Sequence, residues 1–185
     1  PVDYEMPDTD KKNSLSVQND MIKALGIERE LFTRANTRTD KKDILLTADK
    51  DAYYYLVNSR KNKELNISGD FGTKNVKDLK NNNVVYVGYL KQGDKVRIQK
   101  GEEGDEISFG SLSAYRMDLE VLKEAIHLLS KSHLENVSYD STHVEGNIKL
   151  EDAGKVMLSI PYEEGWQIKI NGKEADVEVF AECFM

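Results

Sequence analysis

The feature that most constrains this chain is a change of period. After about residue 38, branched and aromatic side chains recur every second position in short runs, and Gly, Asn and Asp punctuate the runs. Ile44–Thr47 and Ala52-Tyr53-Tyr54-Tyr55-Leu56-Val57 are dense in strand-forming side chains. Glu64–Ser68 alternates and ends at Gly69-Asp70. Val84–Leu90 leads into the turn Gln92-Gly93-Asp94, Lys95–Gln99 alternates again, and Glu106–Phe109 closes the series. A period of two sends successive side chains to opposite faces of a pleated strand, which an α-helix cannot match. Strands at such regular spacing predict a mainly β domain, an antiparallel β-sandwich of jelly-roll-like form, rather than a parallel sheet. Val84–Leu90 is apolar on both faces, which predicts a central strand.

Two helices are expected beside the sandwich. Residues 1–38 read as an irregular and helical lead-in: 1–18 are polar and irregular, with Asp8 to Asn13 mobile. A short helix then follows from Asp20 as cap, with Met21, Ile22 and Leu25 on one side. Gly26 suits its left-handed stop, and Glu28 to Phe32 add a second turn. Residues 39–185 are expected to form the sandwich, with a helical insertion at about 115–131. Leu119, Leu122, Ile126 and Leu129 form a stripe that should pack on the sheets, opposite Glu120 and Lys123 or Glu124. Beyond it, Thr142–Leu150 is expected as a long strand bulged at Gly146, paired with Val156–Ile160. Trp166–Ile170 and Lys173–Val179 then form a hairpin about Asn171-Gly172, the pair that favours a type I′ turn.

Composition narrows the function. With 185 residues and 39% hydrophobic content the chain can bury a core. No apolar run approaches the ~20 residues that a membrane helix needs. The net charge is −7, with lysines and acids interleaved, so nucleic acid is excluded as a partner because phosphate binding needs a concentrated basic face. Cys183 is the single cysteine, so no intrachain disulfide forms, and the compartment stays open. The start at Pro1, with neither initiator methionine nor signal peptide, and the apolar end Phe180–Met185 predict a piece cut from a longer polypeptide.

No catalytic constellation stands out. His127 and His133 are six apart and share no helix face, and with His143 they fall short of a zinc ligand set. Cys183 lacks the flanking chemistry of a nucleophile. Glu102-Glu103 and Glu163-Glu164 adjoin glycines, as solvated loop charges do, and 101–105 is too acidic for a phosphate loop. No catalytic residue, metal or cofactor is therefore expected. Nine tyrosines and one tryptophan could instead build a sugar-stacking platform. Trp166 and Tyr162, beside the Pro161–Gly165 turn, are the candidate substrate-binding residues, with rim packing as the alternative reading.

The stretch Ser159-Ile160-Pro161-Tyr162-Glu163-Glu164-Gly165-Trp166, followed by Ile168-Lys169-Ile170-Asn171-Gly172-Lys173, resembles the most characteristic segment of the YfhO family of large bacterial membrane proteins. Tyr139–Gly146 is similar to that family's approach to this segment, Gln18–Gly26 to its entering helix, and Val85–Asp94 to a central strand and turn. The resemblance implies a glycosyltransferase of the GT-C kind that moves a sugar from a lipid-phosphate donor to teichoic or lipoteichoic acid. It implies an extracytoplasmic location, with the parent protein's membrane helices and a cell-wall glycopolymer as partners. The family continues beyond its hairpin with a further strand, so the C-terminal strands are expected to be truncated here. No residue matches the loop that carries the family's catalytic carboxylate, and none is assigned. The role implied is accessory, positioning the acceptor. A carbohydrate-binding or adhesion module unconnected to catalysis, or a structural cap, are the alternatives.

Overall fold

The computed structural model describes residues 13–39, 43–58, 62–79, 83–101, 112–150, 156–158 and 160–179. The chain divides into two compact units, one of residues 7–128 and the other holding residues 129–185.

The first unit is built on two antiparallel sheets. One has the order β1 (Phe32–Arg34), β9 (Leu112–Met117), β4 (Ala52–Asn58), β7 (Asn83–Leu90). The other runs β2 (Thr37–Thr39), β3 (Asp43–Thr47), β8 (Lys95–Lys100), β5 (Leu65–Gly69), β6 (Gly72–Val76). Their facing sides supply the main core. Ile44, Leu46, Leu65, Ile67, Val96 and Ile98 come from the five-stranded sheet, and Tyr54, Leu56, Val85, Val87, Leu90 and Ala114 from the four-stranded one. The mainly β, antiparallel sandwich expected from the two-residue period is the fold.

A helical layer lies on the outer side of the four-stranded sheet. Helix α1 spans Ser14–Ala24 and is capped by Asn13, whose carboxamide oxygen accepts the Leu15 and Ser16 amides, each at 3.1 Å. The helix thus begins six residues before Asp20, and Ser14–Gln18 are helical rather than irregular. Gly26 follows it with φ +83°. Glu28–Leu31 form no second helical turn, and Phe32 enters β1 instead. Asn19 holds the two together, since its carboxamide donates to the Phe32 carbonyl and accepts the Phe32 amide, both at 2.7 Å. Helix α2 spans Leu119–Ser130. It begins later than expected because Tyr115–Met117 pair with β1 and β4, and Asp118 then caps the helix through the Glu120 and Val121 amides. A second core unites Leu15, Ile22, Ile27, Leu31, Phe32, Val57, Tyr115, Val121 and Ala125.

Two expectations are corrected here. The buried stripe of α2 is Val121 and Ala125, with Leu122 and Leu128 partly covered, whereas Ile126 and Leu129 are 56% and 58% exposed. The apolar pattern of three leucines and Ile126 overlaps a second stripe, and packing with Val57 and Tyr115 selects the one with the smaller side chains. Nor is β7 central, for among the described strands it lies at the sheet edge.

The second unit contains two hairpins. β10 (Glu135–Tyr139) pairs with β11 (Val144–Asn147), and β12 (Ile168–Ile170) pairs with β13 (Lys173–Ala175). The first hairpin is irregular between Glu135 and Ser138, so its extra residue lies in β10 opposite Gly146, not at Gly146. Asn171 and Gly172 have φ of +51° and +77°, the positive values at both central positions that a type I′ turn requires. Val156–Leu158 are not in a strand. The expected strand Glu106–Phe109 lies outside the described residues.

The core assignment has a direct test. Leu56→Ala should destabilise the chain by about 2–5 kcal/mol, the range for truncating a fully buried leucine. Ile126→Ala should change stability by no more than about 0.5 kcal/mol, as at an ordinary surface position. Urea denaturation of both variants reads the difference, and a large loss in Ile126→Ala would contradict the stripe described above.

Candidate functional site

The outer side of the four-stranded sheet is a grid set by strand register. Ala52, Tyr54 and Leu56 of β4 point into the sandwich, so Tyr53, Tyr55 and Val57 point out. Tyr53 stands between Met117 of β9 and Tyr89 of β7, and Tyr55 between Tyr115 and Tyr86. The helical layer covers the β1–β9 half of this grid: Phe32, Tyr115 and Val57 are 5%, 7% and 3% exposed. Among the described residues, the β4–β7 half is bare beyond Val57. Tyr86 and Tyr89 are 46% and 49% exposed, Val84 is at the surface, and Tyr53 and Tyr55 are partly buried.

A β-bulge gathers these rings. Tyr86 and Tyr89 are three residues apart and in a regular strand would face opposite ways. Tyr54 pairs with Gly88 and Tyr55 with Tyr86, so Val87–Gly88 contribute one residue too many and the phase shifts. Val85, Val87 and Leu90 therefore face the core, while Tyr86 and Tyr89 share the outer side. Gly88 carries the distortion at φ +154°, a conformation that side-chain-bearing residues rarely adopt. The rings then touch in series. Phe32 and Tyr55 lie 5.5 Å apart edge-on, Tyr55 and Tyr86 5.5 Å, Tyr86 and Tyr53 6.2 Å, and Tyr53 and Tyr89 5.1 Å. These are the separations at which aromatic pairs attract.

Among the described residues, the outward positions of β4 and β7 from Tyr53 to Tyr55 and from Val84 to Tyr89 are aromatic or apolar and none is acidic. They are Val84, Tyr86 and Tyr89 of β7 with Tyr53 and Tyr55 of β4. Burial, and then the neighbouring Tyr86 and Tyr53, push the Tyr55 phenol above its ordinary value, so it stays a neutral hydrogen-bond donor. Lys74 of β6 flanks the group. Its ammonium donates to the Tyr86 carbonyl at 3.0 Å and lies 6.0 Å from the Tyr86 ring centre. Chemically, such a surface can stack on the apolar face of a ring and offer phenolic hydroxyls at its rim.

The residues singled out from the sequence lie elsewhere. Tyr162 is 39% exposed and Trp166 partly buried, in the segment before β12 of the second unit. The ring contacts found among the described residues involve neither. The histidines do not converge: His133 Nδ1 lies 2.8 Å from the Ser130 carbonyl, and His143 Nε2 lies 3.5 Å from Glu145. Among the described residues no three His, Cys, Asp or Glu side chains gather as metal ligands. Glu163 and Glu164 are exposed, and Glu102-Glu103 lie outside the described residues. Tyr53 and Tyr55 could have been placed on one face from the alternation of β4. Nothing in the sequence pattern announces that Tyr86 and Tyr89 join them, apart from Gly88 itself.

Fold and surface together define an antiparallel β-sandwich domain with a helical layer and one half-open aromatic sheet face. Over residues 9–185 the chain matches the family described as bacterial membrane protein YfhO, and it belongs to that family. A curated relative, "Uncharacterized protein YfhO" of Bacillus subtilis (strain 168), is 28% identical over 68 residues, which is 37% of this chain and 8% of the relative's length. The matched part is thus a small fraction of that protein. No solved structure matches the chain. Among the described residues no helix is long and apolar enough to cross a membrane.

The bulge can be tested through its glycine. A Cβ at Gly88 would meet no neighbour, so space is not the obstacle. Backbone strain alone should make Gly88→Ala cost about 1–3 kcal/mol, read as a lowered denaturation midpoint. A variant as stable as the parent chain would show that the bulge does not depend on glycine.

Proposed function

We propose that this chain is an extracytoplasmic, acceptor-positioning domain of a membrane glycosyltransferase that takes its sugar from a lipid-linked donor and acts on teichoic or lipoteichoic acid. The observation that carries this reading is the bare tyrosine half of the four-stranded sheet. Membership of a membrane-protein family supports the setting. Tyrosine is suited to such a role: its ring presents an apolar face to a sugar while its hydroxyl remains hydrated or hydrogen-bonded. The domain contributes by holding the acceptor near the membrane-borne chemistry, which raises effective concentration. Tyr162 and Trp166 are a second stacking pair for the same polymer within this reading. The carbohydrate-binding or adhesion alternative differs in one respect, namely that the glycan held there would not be a substrate of the parent protein.

Cells carrying the parent protein with Tyr86→Ala and Tyr89→Ala separate the two. Under the positioning role, glycosylated teichoic acid should fall several-fold while the protein's level in the membrane is unchanged. Unaltered glycosylation at equal protein level would remove that role.

A further inference from the structure

We infer that the outer face of the five-stranded sheet docks on anionic lipid headgroups, holding the first unit against the membrane with its tyrosine face turned away. The inference concerns the sheet opposite the tyrosines and does not depend on the glycan-positioning reading.

Register defines this face. Ile44, Leu46, Leu65, Ile67, Val96 and Ile98 point into the sandwich, so the residues between them point out. Cross-strand pairing sets Arg38 of β2, Leu45 of β3, Arg97 of β8 and Ser68 of β5 in one row. Lys95 stands two residues from Arg97 on the same side. The chain has a net charge of −7, yet the described outward positions of these five strands hold three cations, Arg38, Lys95 and Arg97, and a single acid, Asp43. That acid is already engaged, accepting from Arg97 at 3.0 Å and from Gln99 at 3.1 Å. One guanidinium nitrogen of Arg97 makes the contact, and the others keep their N–H donors. Arg38 and Lys95 are exposed and have no ion-pair partner among the described residues. Beside Lys95 and Arg97 the face is recessed into a cavity of about 500 Å³, lined by these two with Leu45, Ser68 and Gly69.

A phosphodiester fits the chemistry of this recess. The Arg97 guanidinium can fork two of its oxygens, the Lys95 ammonium can pair with its charge, and the Ser68 hydroxyl can donate a further bond. Leu45 gives the adjoining carbons an apolar neighbour. The cations are spread rather than convergent: Arg38 lies two strands from Arg97, about 10 Å at the usual strand spacing. A lipid surface offers phosphates side by side over such a spread, and membership of a membrane-protein family puts such a surface at hand. Each basic residue near an anionic membrane is worth about a fivefold change in partitioning, an attraction that fades within a Debye length. Three of them give weak attachment. Weak attachment suffices for a domain whose parent is anchored in the same membrane, because tethering supplies the concentration. The two sheets are opposite layers of one sandwich. A domain resting on the five-stranded layer therefore presents Tyr53, Tyr86 and Tyr89 to the space beyond the membrane.

Cosedimentation of the whole 185-residue chain with vesicles at low ionic strength tests this. One set of vesicles is pure phosphatidylcholine, and the other is an equal mixture of phosphatidylcholine and phosphatidylglycerol. The chain should partition about tenfold more strongly into the anionic set, and raising the salt should remove most of that preference. Lys95→Gln and Arg97→Gln should each lower anionic partitioning about fivefold, whereas Lys95→Arg should retain it. If Arg97→Gln fails to fold, Arg38→Gln takes its place. A control carrying Lys23→Gln and Lys123→Gln has the same net charge as the Lys95→Gln, Arg97→Gln double variant and should bind like the parent chain. Equal partitioning into both sets of vesicles, or an equal loss in the control, would overturn the inference, the latter because overall charge would then be the cause. Loss of vesicle binding in Tyr86→Ser or Tyr89→Ser would overturn it too, since the opposite face would be the one on the lipid. Binding of soluble poly(glycerol phosphate) that Lys95→Gln abolishes, with no binding to vesicles, would assign the face to a soluble polyanion instead. None of these outcomes touches the glycosylation test of Tyr86→Ala and Tyr89→Ala in cells, so the two readings fail separately.

Discussion

The two faces of β4 make opposite demands, and most of the first unit is arranged to meet them. Inward, Tyr54 and Leu56 are almost completely buried between the sheets. A buried phenol must have partners for its hydroxyl, because an unpaired one costs about 1–3 kcal/mol. The Tyr54 hydroxyl lies 2.9 Å from both the Asp49 carboxylate and the Lys50 carbonyl, which share its proton, and it accepts the Asp49 amide at 3.2 Å. Burial holds its pKa above the ordinary tyrosine value, so it remains a donor. Asp49 also accepts from the Arg116 guanidinium on the neighbouring strand β9. The turn before β4 is thereby tied to the core and to the next strand.

Outward, the same strand needs a second cover. The helical layer supplies it over Val57, with α1 held by Asn19 against β1 and α2 joined to the preceding loop by Arg29–Glu124 at 2.7 Å. The exposed ion pair contributes little by itself. The apolar contacts of Val121 and Ala125 do more, and they fix how far the cover extends. Beyond it the outward side chains are four tyrosines and Val84. A half-exposed phenol keeps its hydroxyl in water, so this composition tolerates an uncovered face that an aliphatic surface would not.

How much of this was legible follows from what each residue reports. Period-two runs disclose strands and the antiparallel class, and Asn171-Gly172 discloses its turn, because these depend on local backbone preference. Leu119–Leu129 disclosed a helix but not its buried side, since Leu122 borders two possible stripes and only the sheet beneath chooses. Val84–Leu90 looked central because Tyr86 and Tyr89 count as apolar in a pattern. Whether an apolar residue is covered depends on partners far along the chain. The Tyr86–Tyr89 pairing was hidden for a sharper reason: one extra residue in a strand inverts every later side chain, and alternation is blind to where that residue falls. Tyr162 and Trp166 drew attention by proximity in sequence, whereas Tyr53, Tyr55, Tyr86 and Tyr89 meet through sheet register across more than thirty positions.

The placement of the aromatic group on strands has a mechanical consequence. Binding surfaces often sit on loops, where ordering the ligand contacts costs conformational entropy at the moment of binding. Here the rings are held by antiparallel pairing on both sides of β4 and by mutual contact, so little ordering remains to be done. The bulge at Gly88 is the one departure from regular geometry in that pairing, and it is what brings the fourth ring to the surface. Removing it would leave a more regular edge strand with Tyr89 turned toward the sandwich. The strain at Gly88 thus serves to assemble a surface rather than to close a core.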